Sequence, residues 1–78
     1  MLYRMPSAGE VLIRLIPHPT SMVRFIVGKG YKVIAVEKKS GRFLIRDELG
    51  YSVWYAFNNE LVRCRWDQQI ELTEKFLG

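Results

Sequence analysis

The chain has 78 residues, 49% of them hydrophobic and 26% charged, with a net charge of +4. This is one small domain with enough apolar content to fold rather than stay disordered. A single cysteine, Cys64, excludes an internal disulfide and a cysteine-based zinc site within one chain, and no apolar run reaches the roughly 18–20 residues of a membrane span.

The opening "MLYRMPSAGE" lacks the long apolar core of a signal peptide, so a cytoplasmic protein is expected. Charge is unevenly spread. Residues 1–46 hold nine Lys/Arg and two Glu, a net +7, whereas residues 47–78 hold three Lys/Arg and six Asp/Glu, a net −3. A basic body of this kind suits an anionic partner, either nucleic acid or an acidic protein surface, or is simply a solvated surface.

Residues 1–9 read as an N-terminal extension, 10–66 as the folded body and 67–78 as a C-terminal tail. "EVLIRLI" (residues 10–16) is a strongly apolar strand, broken by the two prolines of "PHPTSM" (17–22). "VRFIV" (23–27) is a short extended piece stopped by "GKG" (28–30). "YKVIAVE" (31–37), "RFLIRD" (42–47) and "YSVWYAF" (51–57) are three successive strands. The tight turns "KKSG" (38–41) and "DELG" (47–50) join them into an antiparallel meander, with Gly41 free to take a positive φ. "NNEL" (58–61) suits one turn of 3₁₀ helix and "VRCRW" (62–66) a last short strand. In the tail "DQQIELTEKFLG", Asp67 can cap a short helix that places Ile70 and Leu77 on one face. Short strands in succession, without long crossover helices, predict an all-β fold: a small five-stranded barrel, closed to remove its apolar edges.

"FIVGKGYKVI" is similar to the stretch of Src-homology-3-like barrels in which a glycine and a polar residue precede an alternating apolar strand. "FNNELV" sits where those domains place a one-turn 3₁₀ helix. The chain more closely resembles small phage-encoded proteins of this barrel class, whose pattern reads here as "VGKGYKV", "IRDELG" and "YSVWY". The likeness covers residues 11–66. It implies a Src-homology-3-like barrel, the bacterial host cytoplasm as location, and a partner that is a host protein or nucleic acid. Peptide-binding members of the wider family carry an acidic loop and a Pro and Tyr in the 3₁₀ turn. "PHPTSM" has no acid, and "NNEL" has neither Pro nor Tyr, so proline-motif recognition is not expected.

Period-two alternation divides the meander into two faces. The inward set is Tyr31, Val33, Ala35, Phe43, Ile45, Tyr51, Val53, Tyr55 and Phe57. The outward set includes Ile34, Leu44 and Trp54, edged by Lys32, Arg42 and Arg46. An apolar centre with a cationic rim is unusual for a surface. It is either a protein-binding patch anchored by Trp54 or a face covered by Ile70, Phe76 or Leu77 of the tail. The basic residues from Arg24 to Arg46, interleaved with aromatics, suggest a nucleic-acid-binding barrel as the alternative. A structural or virion role and self-association are the remaining readings.

Nothing in the sequence assembles a catalytic or cofactor site. "GKG" opens a strand and lacks the longer frame and Lys-Ser/Thr end of a phosphate loop. His18 and Cys64 are too few for a metal site or a triad, and each reads as loop or half-buried strand decoration. Asp47 and Glu48 read as solvated turn residues rather than an acid and base pair. The chain is therefore expected to be a non-enzymatic interaction module without a cofactor or metal.

Overall fold

The computed structural model describes residues 1–17 and 24–68. Five strands form an antiparallel sheet: β1 (Val11–Arg14), β2 (Gly30–Glu37), β3 (Arg42–Arg46), β4 (Ser52–Ala56) and β5 (Trp66–Gln68). A short helix, α1 (Glu60–Arg65), separates the last two strands, and the order across the sheet is β4-β3-β2-β1-β5. Among the described residues β4 and β5 form no ladder with each other, so the sheet is open where sequence reading expected closure into a barrel.

The meander forms as its turn residues dictate. Gly41 ends the β2–β3 turn at φ 66°, and Gly50 ends the β3–β4 turn at φ 91°, a region that side chains with a Cβ rarely adopt. The three strands pair Val33 with Ile45 and Ile45 with Val53, and Val36 with Phe43 and Phe43 with Tyr55. Val33, Phe43 and Ile45 are wholly buried, so the expected face assignment holds through the middle of the sheet.

It slips by one residue in β2. A bulge between Val33 and Ala35 leaves Ile34 and Ala35 opposite Leu44 alone. Beyond it the phase reverses: Val36 packs against the core, and Ala35 faces out beside Leu44. The bulge also marks a division of labour. Gly30, Tyr31 and Lys32 pair with β1, while β2 from Val33 onward pairs with β3.

Several other expectations are corrected. Tyr51, placed inward, is 67% exposed because it belongs to the turn before β4. β1 covers only four of the seven residues of "EVLIRLI". Arg24–Val27 of "VRFIV" lie in turns, not in a strand. "VRCRW" is mostly helix: Asn59 caps α1, its side chain accepting the Leu61 amide at 3.0 Å, and Glu60 and Arg63 suit the helix ends. Cys64 is accordingly exposed on that helix. The last strand starts at Trp66, so Asp67 and Gln68 are strand residues rather than a helix start. Expectations for His18 and for residues 69–78, including Ile70, Phe76 and Leu77, lie outside the described residues.

The core gathers Leu2, Leu12, Phe25, Tyr31, Val33, Phe43, Ile45, Val62 and Trp66. Burying each such side chain contributes about 1.5–3 kcal/mol. Phe25 is its hinge point, meeting Tyr31 and Trp66 edge-on at 5.0 Å each. Residues 1–9, read as an extension, supply Leu2 and Pro6 to the interior. Gln68 fastens that segment: its Oε1 accepts the Tyr3 and Arg4 amides at 2.7 and 3.3 Å, and its Nε2 donates to the Arg4 carbonyl at 3.0 Å.

Candidate functional site

The solvent side of the meander is built by cross-strand register. Ala35, Leu44 and Trp54 form one row across β2, β3 and β4. Glu37, Arg42 and Ala56 form the row on one side, and Arg46 and Ser52 the row on the other. Side chains opposite one another share a face, so Leu44 and Trp54 stand together with Arg42 and Arg46 flanking them. Trp54 is 43% exposed and Ile34 39% exposed, while Leu44 is half-buried between them. The Arg42 guanidinium lies over the Trp54 ring, 5.1 Å from its centroid, which fixes the ring and keeps the charge at its rim.

Five of the six expected site residues therefore meet: Trp54, Leu44, Arg42 and Arg46 by register, and Ile34 at the bulge. Lys32 does not join them directly. It precedes the bulge and pairs with Val11 of β1, on the other half of the sheet. Among the described residues Lys32, Arg42 and Arg46 form no ion pair, although Glu37 is Arg42's cross-strand neighbour.

The basic stretch from Arg24 to Arg46 is partly neutralised within the fold. Arg24 donates to Asp47 at 2.8 Å, and Lys29 is paired with Glu48. Glu48 also accepts the Tyr31 hydroxyl at 2.9 Å, and that hydroxyl accepts the Ile26 amide at 2.7 Å. The hydrogen bond from Lys29, then that from Tyr31, holds the Glu48 carboxyl below its ordinary value. Asp47 is buried, not solvated as expected. Besides Arg24, it accepts the Leu49 and Tyr51 amides, each at 2.9 Å. Burial opposes its charge, but the Arg24 hydrogen bond and the two amides outweigh burial, and its pKa is lowered.

Sequence reasoning missed one more interior charge. Arg14 ends β1 opposite Trp66 and is 1% exposed. Its guanidinium sits 4.9 Å from the ring centroids of both Phe25 and Trp66, and Nε donates to the Ile16 carbonyl at 2.6 Å. Burial lowers its pKa. The alternation of "VLIR" places Arg14 on the same side as Leu12, and that was the available signal.

A separate shallow groove is lined by Met5, Pro6, Ser7, Ala8, Val36 and Lys38. Among the described residues no three His, Cys, Asp or Glu side chains stand together in a way that could hold a metal ion. No helix among them is long and apolar enough to cross a membrane. Comparison with protein-family models, curated proteins and solved structures finds no match to this chain.

Proposed function

We propose that the chain is a small non-enzymatic interaction module that binds another protein through the solvent face of β2, β3 and β4. The observation that carries the reading is Trp54: a large ring, 43% exposed, with Leu44 opposite it and Arg42 stacked on it. Trp and Arg are the residue types that most often anchor protein interfaces. The strand order β4-β3-β2-β1-β5, with β2 divided between two sets of partners, supports a Src-homology-3-like arrangement. By the resemblance to phage-encoded proteins, the partner is a bacterial host protein.

Nucleic-acid binding through residues 24–46 is the weaker alternative. Two of the basic residues it needs, Arg24 and Lys29, are committed to Asp47 and Glu48. Capture from bacterial lysate with nuclease present tests the choice, using the parent and Trp54→Ala side by side. The expected result is a protein that survives nuclease and is lost with Trp54→Ala, a cost of about 2 kcal/mol or more of binding. Recovery of nucleic acid alone, abolished by reversing Lys38, Lys39 and Arg42 to Glu, would establish the alternative.

A further inference from the structure

The protein-binding reading leaves open the conformation of the partner, and the edge of the sheet constrains it. The Phe57 amide donates to the Gly41 carbonyl and the Asp47 amide to the Tyr51 carbonyl, both at 2.8 Å. In an antiparallel ladder hydrogen-bonded pairs alternate with non-bonded ones. Tyr51, Val53, Tyr55 and Phe57 therefore turn their backbone groups towards the β3 side. Ser52, Trp54 and Ala56 turn theirs to the outer edge of β4. There the Ala56 carbonyl accepts the Asn59 amide at 3.2 Å. Among the described residues nothing accepts from or donates to the outward groups of Ser52 and Trp54. Residues 51–57, "YSVWYAF", hold no charge, no proline and no bulge, the usual devices that blunt an edge.

Resting on that protein-binding reading, we infer that the partner supplies an extended segment that adds to β4 as a sixth strand, with the pattern acidic–x–apolar–x–acidic. The register dictates the pattern. An added residue opposite Trp54 extends the row of Ala35, Leu44 and Trp54, and is apolar. Residues two positions either side extend the rows of Arg46 and Ser52 and of Arg42 and Ala56. Strands lie about 4.8 Å apart, so each arginine is about 10 Å from the added strand. Ser52 and Ala56 are small, and an extended Arg and a Glu can meet above them. The added strand runs antiparallel to β4, as every neighbouring pair in the sheet does, so that the residue opposite Trp54 exchanges both backbone hydrogen bonds with it. A second copy of this chain fits less well, because each copy carries +4 and offers no acid on its β4 edge.

The test is a titration of the full chain with the capped heptapeptide TETLTET, followed by fluorescence and by amide exchange. Two further peptides carry one backbone N-methyl group each, on the leucine or on the threonine after it. Binding is expected to slow exchange at the Trp54 amide. Methylation of leucine removes the hydrogen bond to the Trp54 carbonyl and should weaken binding about tenfold, while methylation of threonine, whose amide points away, should not. Replacing both glutamates by glutamine should weaken binding and remove its salt dependence. Equal binding of the two methylated peptides would overturn the strand addition. The protein-binding reading would then survive only if Trp54→Ala still abolished capture of the lysate protein. Absence of binding at millimolar peptide overturns the inference as well. So does a dimer in sedimentation whose Trp54 amide is protected without peptide, which would assign the edge to a second copy.

Discussion

At β5 the sheet ends under cover. The N-terminal segment runs beside it, Gln68 takes three hydrogen bonds from and to Tyr3 and Arg4, and the Met1 ammonium lies 3.2 Å from Asp67. At β4, at the far end of the same sheet, Ser52 and Trp54 present backbone groups that no described residue meets. The two tryptophans express the same difference. Trp66 on β5 is wholly buried against Phe25 and Arg14, whereas Trp54 on β4 is 43% exposed, with an arginine across its face. One edge is covered by the N-terminal segment, and among the described residues the other is not. A domain of this size has little surplus apolar surface, so leaving Trp54 outside is informative.

Substitutions at four positions break or sharpen that contrast. Trp66→Ala should have the largest effect, about 3–5 kcal/mol of stability by thermal or denaturant unfolding, because it empties the centre of the aromatic core. Asp47→Ala should cost about 3 kcal/mol, since it strands a partly buried Arg24 and frees the Leu49 and Tyr51 amides.

Asp47 also sets a pH dependence. Its folded pKa is lowered, so its contribution is complete above the unfolded value of about 3.9 and disappears as pH falls through the lower folded value. An Asp47→Asn variant should therefore show a flatter loss of stability below about pH 4 than the parent. Gln68→Ala should cost about 1–2 kcal/mol and speed amide exchange at Tyr3, leaving β4 unchanged. Trp54→Ala should be the mildest for folding, within about 0.5 kcal/mol in unfolding experiments. A large loss there would make Trp54 part of the core and erase the distinction between the edges.

The meander and its face assignment were legible because glycine turns and period-two alternation are local signals. "KKSG" and "DELG" sit at the turns, and Phe43, Ile45 and Val33 are buried as alternation requires. The bulge at Ile34 was not legible. Its cause is the pairing of β2 with two different neighbours, which no stretch of β2 announces. Arg14 and Asp47 were missed for a related reason: charged residues read as solvated until a partner from a distant part of the chain appears. Phe25 and Trp66 are that partner for one, Arg24 for the other. The last strand was misplaced because "VRCRW" has strand-like composition, whereas Asn59 caps a helix that takes up most of it. The patch at Trp54, Leu44 and Arg42 was readable since it depends on the register of the two hairpins alone.

Amide hydrogen exchange along β4 of the isolated protein, at a concentration where sedimentation shows a monomer, tests the account most directly. Val53 and Tyr55 donate to β3 and should exchange slowly. Ser52 and Trp54 point outward and should exchange at least about a hundredfold faster, the difference between a strand interior and an open edge. A Trp54 amide as protected as that of Val53 in the monomer would mean that the edge is already covered, and would contradict the assignment of β4 as the contact edge.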